Sequence, residues 1–246
     1  EGLDDPIVYK ENLHLTENRT RRAAMTVKLM HYWTITPSRN DEYAEFITGT
    51  FIPGINALGM QTVAGWSVLV GSYSEVIVET VGSDLDQLEM ALKSNEYRRL
   101  KSDLLNYIRN YKTKVLVPLK KEQAYSMDFT EHTVKFNQVW DIITRETDDF
   151  KKYRQFVTSE FYPVLEEIGV KIAEEWEVLI GDGPRTICEG RVKDVQSLIS
   201  GLQSIKFRKA KELLKTRVEN YESRILSFHI IRLQYGSSDQ YQILDD

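Results

Sequence analysis

Cysteine is nearly absent. Cys188 is the only one in 246 residues, so neither an intrachain disulfide nor a thiolate metal cluster can form. Histidine is scarce as well, at four, and no His-x-x-x-His, His-Glu-x-x-His or His-x-His spacing occurs. No metal and no cofactor is therefore expected. An excess of positive charge is also missing: 32 Lys and Arg stand against 37 Asp and Glu, a net charge of −5. That balance lacks the electrostatic footprint of a nucleic-acid binder. No apolar run approaches the roughly 20 residues needed to span a bilayer, so no membrane segment is expected. No secretory leader is visible, and the low cysteine content fits a reducing, cytoplasmic setting. Gly181-Asp182-Gly183-Pro184 is the one glycine cluster, and it lacks the strand–Gly-rich–helix context of a phosphate loop. It reads as a hairpin turn.

What is present occurs twice. Thr26-Val27-Lys28 runs on to Trp33, and Thr133-Val134-Lys135 runs on to Trp140, at an offset of 107. The first stretch alternates: Val27, Leu29, His31 and Trp33 on one face, Lys28, Met30 and Tyr32 on the other, which is the period of a strand. A helix should follow, with Tyr43, Phe46, Ile47, Phe51, Ile55 and Leu58 inward, a kink at Pro53, and Gly59 as its C′ residue. Strands over Met60–Val70 and Glu75–Val81 come next. One long helix capped by Ser83 or Asp84 should carry Leu85, Leu88, Leu92, Leu100, Leu104 and Ile108 inward, before a strand over Lys112–Leu119. The order β-α-β-β-α-β is that of a ferredoxin-like domain.

The second half repeats this order. Phe150 and Tyr153 answer Tyr43 and Phe46 at offset 107. Phe161, Pro163, Gly169, Trp176, Gly181 and Glu189 answer Phe51, Pro53, Gly59, Trp66, Gly71 and Glu79 at offset 110. Three residues were therefore added within the first helix or at its edge. A period above 100 residues is a duplicated domain rather than a solenoid repeat. The expected organisation is an N-terminal arm (1–25), a first repeat (26–119), a linker (120–132), a second repeat (133–232) and a frayed polar tail (233–246).

Helices on one face of an antiparallel sheet leave the other face bare, and two copies can bury those faces together. In element order and duplication the chain resembles the dimeric α+β barrel superfamily. That group includes antibiotic-biosynthesis-monooxygenase-like, NIPSNAP-like and EthD-like proteins and the haem-binding chlorite-dismutase family. The resemblance implies an α+β fold of two tandem ferredoxin-like repeats packed sheet to sheet as an intrachain barrel. It implies haem only where a helix of the second half supplies an axial His, and Asp194 to Tyr221 contains none.

The strand pattern places Lys28, Met30, Tyr32, Leu69, Glu79, Lys114 and Leu116 between the sheets, with Lys135, Asn137, Leu179, Glu189, Arg224 and Leu226 as their counterparts. Val68, Val70, Val76, Val78, Val115 and Val117 should face the helices. Lys28, Glu79 and Lys114 are then expected as one cross-strand cluster, and Lys135, Glu189 and Arg224 as another. Two readings stand side by side. The clusters are buried ion pairs that let polar sheet faces pack together. Alternatively, each carboxylate orients a polar substrate or moves a proton. His31 reads as a satisfied core residue, the four Trp as packing, Cys188 as inert, and the Lys206–Lys211 basic run as a solvated helix face. Two functions remain open: a small-molecule-binding barrel, of cofactor-independent monooxygenase-like or isomerase-like activity, whose ligand is a small apolar or mixed-polarity molecule; or a non-catalytic oligomerisation module with a filled barrel. Self-association is expected under either.

Overall fold

The computed structural model describes residues 27–71, 76–119, 129, 133–235 and 238–244. The expected N-terminal arm, and the linker apart from Phe129, lie outside the described residues.

Repeat 1 consists of β1 (Val27–Ile35), α1 (Asn40–Phe46), a π-helical turn (Ile47–Phe51), α2 (Ile52–Ala57), β2 (Gln61–Val70), β3 (Val76–Gly82), α3 (Leu85–Lys93), α4 (Asn95–Leu104) and β4 (Ile108–Pro118). Repeat 2 follows as β5 (Val134–Ile142), α5 (Asp149–Phe156), a π-helical turn (Val157–Phe161), α6 (Tyr162–Glu167), β6 (Lys171–Ile180), β7 (Thr186–Val192), α7 (Val195–Leu202), α8 (Ile205–Lys215) and β8 (Val218–Tyr235). A further strand, β9 (Ser238–Ile243), closes the described chain.

The kink expected at Pro53 is a π turn, and Pro163 produces the same turn in repeat 2. Proline has no N–H to continue the α-helical ladder, so the helix widens in the turn before it. Gly59 and Gly169 both end their helices at φ +84°, a left-handed conformation that is strained for any residue with a side chain.

The structure corrects four expectations about these elements. The long helix is two helices, because Ser94 takes an extended conformation and its hydroxyl accepts from the Tyr97 N–H; Ser204 does the same for Phe207. Such a cap stabilises a helix start by about 1 kcal/mol. Ile108 consequently begins a strand, and Leu85 is exposed rather than inward. The described part of the tail is not frayed: β9 pairs antiparallel with the end of β8, Tyr241 Oη accepts from Asn56, and Tyr241 and Ile243 pack on the core of repeat 1. Finally, Tyr43 corresponds to Tyr153, not Phe150. Trp33 Nε1 donates to Tyr43 Oη at 3.1 Å, and Trp140 Nε1 donates to Tyr153 Oη at 3.0 Å. The offset of 110 thus already holds on the first helix, and the added residues lie in the corner between β5 and α5.

The sheet order is β2-β3-β1-β4-β6-β7-β5-β8-β9, and a further β2–β8 pairing closes the first eight strands into a ring. The repeats meet edge to edge at two seams, β4–β6 and β2–β8. Closure removes the free edges that an open sheet would present. Three cores result. Trp33, Tyr43, Phe51 and Leu100 lie under the helices of repeat 1. Trp140, Tyr153, Phe161 and Phe207 lie under those of repeat 2. Tyr32, Trp66, Trp176 and Phe228 fill the barrel.

Candidate functional site

The barrel centre holds four charges. Lys28, Glu79, Lys135 and Glu189 have no exposed surface at all. Their pairing crosses between the repeats. Lys28 Nζ lies 2.8 Å from Glu189 and 3.6 Å from Glu79, and Lys135 Nζ lies 2.6 Å from Glu79 and 3.4 Å from Glu189. The result is a ring of alternating sign. Each ammonium also sits over an indole, Lys28 over Trp176 at 4.2 Å and Lys135 over Trp66 at 4.6 Å. Lys28, Glu79, Lys135 and Glu189 thus come together across the repeats, and the expected cross-strand clusters within each repeat are not what forms. In register, Met30 stands between Glu79 and Lys114, and Asn137 between Glu189 and Arg224. Lys114 and Arg224 are thereby displaced from the ring toward the hairpin turns at Gly181 and Gly71.

There Lys114 lies over the Tyr32 ring at 5.5 Å, and Arg224 pairs with Glu222 at 3.1 Å. Burial pushes the Lys114 ammonium down to about 8, and Arg224 adds to that against the pull of Asp182. Leu69 and Leu179, expected inside, are 48% and 41% exposed at the ends of the same hairpins. Val70 is exposed too, and Val68 packs into the barrel rather than under the helices. Register shifts in β2 at Thr62/Ala64, Gly65/Trp66 and Val68/Val70 interrupt the alternation on which those assignments rest.

Burial disfavours the Glu189 carboxylate, but Lys135 and Lys28 outweigh it and hold the group well below the ordinary 4.5. A carboxyl depressed in the folded state contributes stability that is present above its unfolded pKa and lost as pH falls below it. The urea midpoint should therefore hold from neutral pH down to about 5 and drop steeply below about 4.5. A chain with all four ring residues replaced by apolar ones should show a shallower drop. Equal acid slopes in the two proteins would exclude the ring as their source.

A second constellation lies between the helices and the sheet of repeat 2. Tyr153 Oη, which receives the Trp140 N–H, donates to Glu175 Oε1 at 3.1 Å, and Arg154 forms an ion pair with Glu175 Oε2. Cys188 Sγ lies 3.9 Å from Tyr162 Oη. Glu175 and Cys188 are buried, while Arg154 and Tyr162 are half-buried. Burial, reinforced by Glu175, raises the Tyr153 phenol, the Tyr162 phenol and the Cys188 thiol above their ordinary values. Burial works against the Arg154 cation, but Glu175 more than restores it.

At offset 110 the counterparts in repeat 1 are Ala44, Ile52, Gly65 and Val78 for Arg154, Tyr162, Glu175 and Cys188. The strand registers agree: Gly65 pairs with Val78 as Glu175 pairs with Cys188. A Cβ on Gly65 would meet Ile230 of β8 at 2.8 Å, so β8 fills in repeat 1 the volume that carries charge in repeat 2. Sequence reading missed this set: Tyr162, Glu175 and Cys188 align with Ile52, Gly65 and Val78 at the offset of 110 already read, but only the fold brings Arg154 and Tyr153 onto Glu175.

His31 is fully buried, shares a hydrogen bond with Tyr111 Oη at 2.9 Å, and has no partner for Nε2 among the described residues. Burial, helped by Lys101, pushes its imidazole down to about 3, so it is neutral. Gln138 takes its place in repeat 2, where its Oε1 accepts from Tyr221 at 2.8 Å.

No group of three or more His, Cys, Asp or Glu that could hold a metal ion occurs among the described residues. Haem is a poor fit. Helices α7 and α8 carry no His, and Leu198, Phe207, Ala210 and Leu214 pack their inner faces directly onto the core. Among the described residues no helix is long and apolar enough to cross a membrane.

No protein-family model matches this sequence, and no curated protein matches it either. Solved structures do match. A candidate monooxygenase of Fusobacterium nucleatum covers 91% of this chain and 98% of its own at TM-score 0.55 and 11% identity. An anthrone oxidase-like protein covers 82% and 91% at TM-score 0.54 and 10% identity. A candidate chlorite dismutase covers 90% and 95% at TM-score 0.53 and 8% identity. With its two ferredoxin-like repeats closed into one ring of strands, the chain has the dimeric α+β barrel fold, both halves being carried on a single polypeptide.

Proposed function

We propose that this chain is a small-molecule-binding α+β barrel protein whose ligand site lies in repeat 2, at Arg154, Tyr162 and Glu175. The observation that carries this reading is the difference between the repeats. Where repeat 1 has Ala44, Ile52 and Gly65, repeat 2 has the Arg154 guanidinium paired with the Glu175 carboxylate, and the Tyr162 phenol beside Cys188, at one helix–sheet interface. A fold needs no such set there, since repeat 1 packs without it. The set suits a molecule of mixed polarity: aromatic walls from Trp140 and Phe161, and a carboxylate able to take a proton from a weakly acidic group. The finer activity in this proposal is cofactor-independent, monooxygenase-like or isomerase-like, with Glu175 as the base and Tyr153 and Arg154 positioning it.

Anthrone, the ring system in the name of one structural neighbour, leads the panel of weakly acidic aromatic ketones and phenols that tests the idea. A ligand at about 100 times its Kd should raise Tm by roughly 5–10 °C. Glu175→Gln, which keeps size and hydrogen bonding, should abolish most of that rise. A panel that shifts neither protein, or both equally, removes the reading.

A second reading is a non-catalytic module with a filled barrel. The observation in its favour is the ring of four fully buried charges, which with Trp66 and Trp176 occupies the barrel centre. Self-association through the exposed hairpin ends, at Leu69, Val70, Leu179 and Ile180, belongs to it. A module of this kind binds no member of the panel.

A further inference from the structure

The repeats differ again at the corner where the first strand meets the first helix. In repeat 1 this corner is filled by a stack. Phe46 lies on Tyr107 with ring centroids 5.0 Å apart, and the Arg39 guanidinium lies 5.7 Å from the Tyr107 centroid while donating to the Asn106 carbonyl. Repeat 2 has its added residues in this corner, and two of the three layers have changed. Arg217 takes the place of Tyr107 and lies over the Phe156 ring at 4.2 Å. Asp149 takes the place of Arg39 and turns back to accept from the N–H groups of Arg145 and Glu146 at 2.8 Å each. The outer layer of the stack is therefore missing. In its place is a groove of about 600 Å³, lined by Arg145, Lys152, Gln155, Thr216 and Arg217, with Phe156 at its base.

The charges of the groove are unevenly committed. Arg145 is 3.6 Å from Glu219, and Lys152 is 3.2 Å from Glu146 and 3.6 Å from Asp149. Arg217 Nη1 donates to the Leu213 carbonyl and to Thr216 Oγ1, but no carboxylate pairs with Arg217 among the described residues. Asp149 and Glu160 are the acids of the lining. Asp149 is spent on its two N–H groups and on Lys152, so the three cations of the lining outnumber the acids. A planar guanidinium stacked on one ring and left without a counter-ion favours a second ring and a negative charge together.

We propose that this groove binds a planar aromatic anion. The ring completes the stack as a third layer on Arg217, as Arg39 does on Tyr107 in repeat 1, and the anionic group is met by Arg217, Lys152 and Arg145. The site is separate from the Glu175 cluster, since neither Arg154 nor Glu175 lines the groove. Failure of one proposal therefore leaves the other standing.

Calorimetric titration of the full chain with 2-naphthoate tests it, with 2-naphthalenemethanol as the uncharged match. Naphthoate should bind and the alcohol should bind at least about tenfold more weakly, because the charge-assisted contacts are lost. Arg217→Gln should weaken naphthoate by about tenfold or more, and Arg217→Lys, which keeps the charge but not the planar face, by nearly as much. Arg39→Gln, which opens the matching corner of repeat 1, should leave naphthoate affinity unchanged. The proposal is overturned if naphthoate fails to bind, if the alcohol binds as well, or if Arg217→Lys binds as the parent does. Far-UV circular dichroism of each variant ensures that a loss is read only from folded protein.

Discussion

Replacing Glu189 by Leu should cost about 3–5 kcal/mol, enough to bring a domain of ordinary stability close to unfolding at room temperature. The cost comes from what is left behind. Lys28 and Lys135 would share the single carboxylate of Glu79 in a place with no exposed surface, and an unpaired buried cation is far more expensive than a lost contact. Replacing the whole ring, with Lys28→Met, Lys135→Met, Glu79→Leu and Glu189→Leu together, should be nearly neutral or stabilising by about 1–4 kcal/mol. Urea unfolding at pH 7 measures both. A fourfold variant as unstable as the single one would mean that the ring itself, not its incompleteness, supports the barrel.

Trp176→Ala should cost a similar amount, about 3–5 kcal/mol, through the cavity it leaves in the barrel core. Part of that loss is specific. Lys28 Nζ is 4.2 Å from the indole, so removing the ring also removes a desolvated cation–π contact. In a double-mutant cycle with Lys28→Met, the coupling should be about 0.5–2 kcal/mol. The matching cycle of Trp66 with Lys135 should give a coupling of the same sign, since that pair is 4.6 Å apart in the other half. Strict additivity in both cycles would reduce the two tryptophans to volume fillers.

Much of this architecture is legible in the sequence, because its causes are local or duplicated. Strand period, helix stops at Gly59 and Gly169 and the recurrence of Trp33 as Trp140 all follow from residue types and spacing. So do the inward faces of Lys28, Glu79, Lys135 and Glu189. What escapes is set by register. Knowing that Lys28 and Glu79 share a face does not say which glutamate each lysine meets. The observed answer places the partner 161 residues away in Glu189. Lys114 fails as a ring member because Met30 stands between it and Glu79. Leu69 and Leu179 fail as barrel-lining residues, and Val70 as a helix-facing one, because shifts in register carry the hairpin ends beyond the barrel. The Glu175 cluster was hidden for a different reason. It is a contrast between halves whose meaning depends on contact, and nothing in the spacing of Arg154, Tyr153 and Glu175 says that helix and strand bring them together.

The crossing of the ring has a consequence for assembly. Each half contributes one lysine and one glutamate, so two copies of repeat 1, or two of repeat 2, would close a ring of the same alternating sign. The charges therefore fix how two halves meet and are blind to which halves they are. Covalent tethering supplies the choice, by holding each half at high effective concentration beside its own mate. Stoichiometry is then guaranteed at one of each, and only under that guarantee can Gly65 remain empty for Ile230 while the matching position bears Glu175.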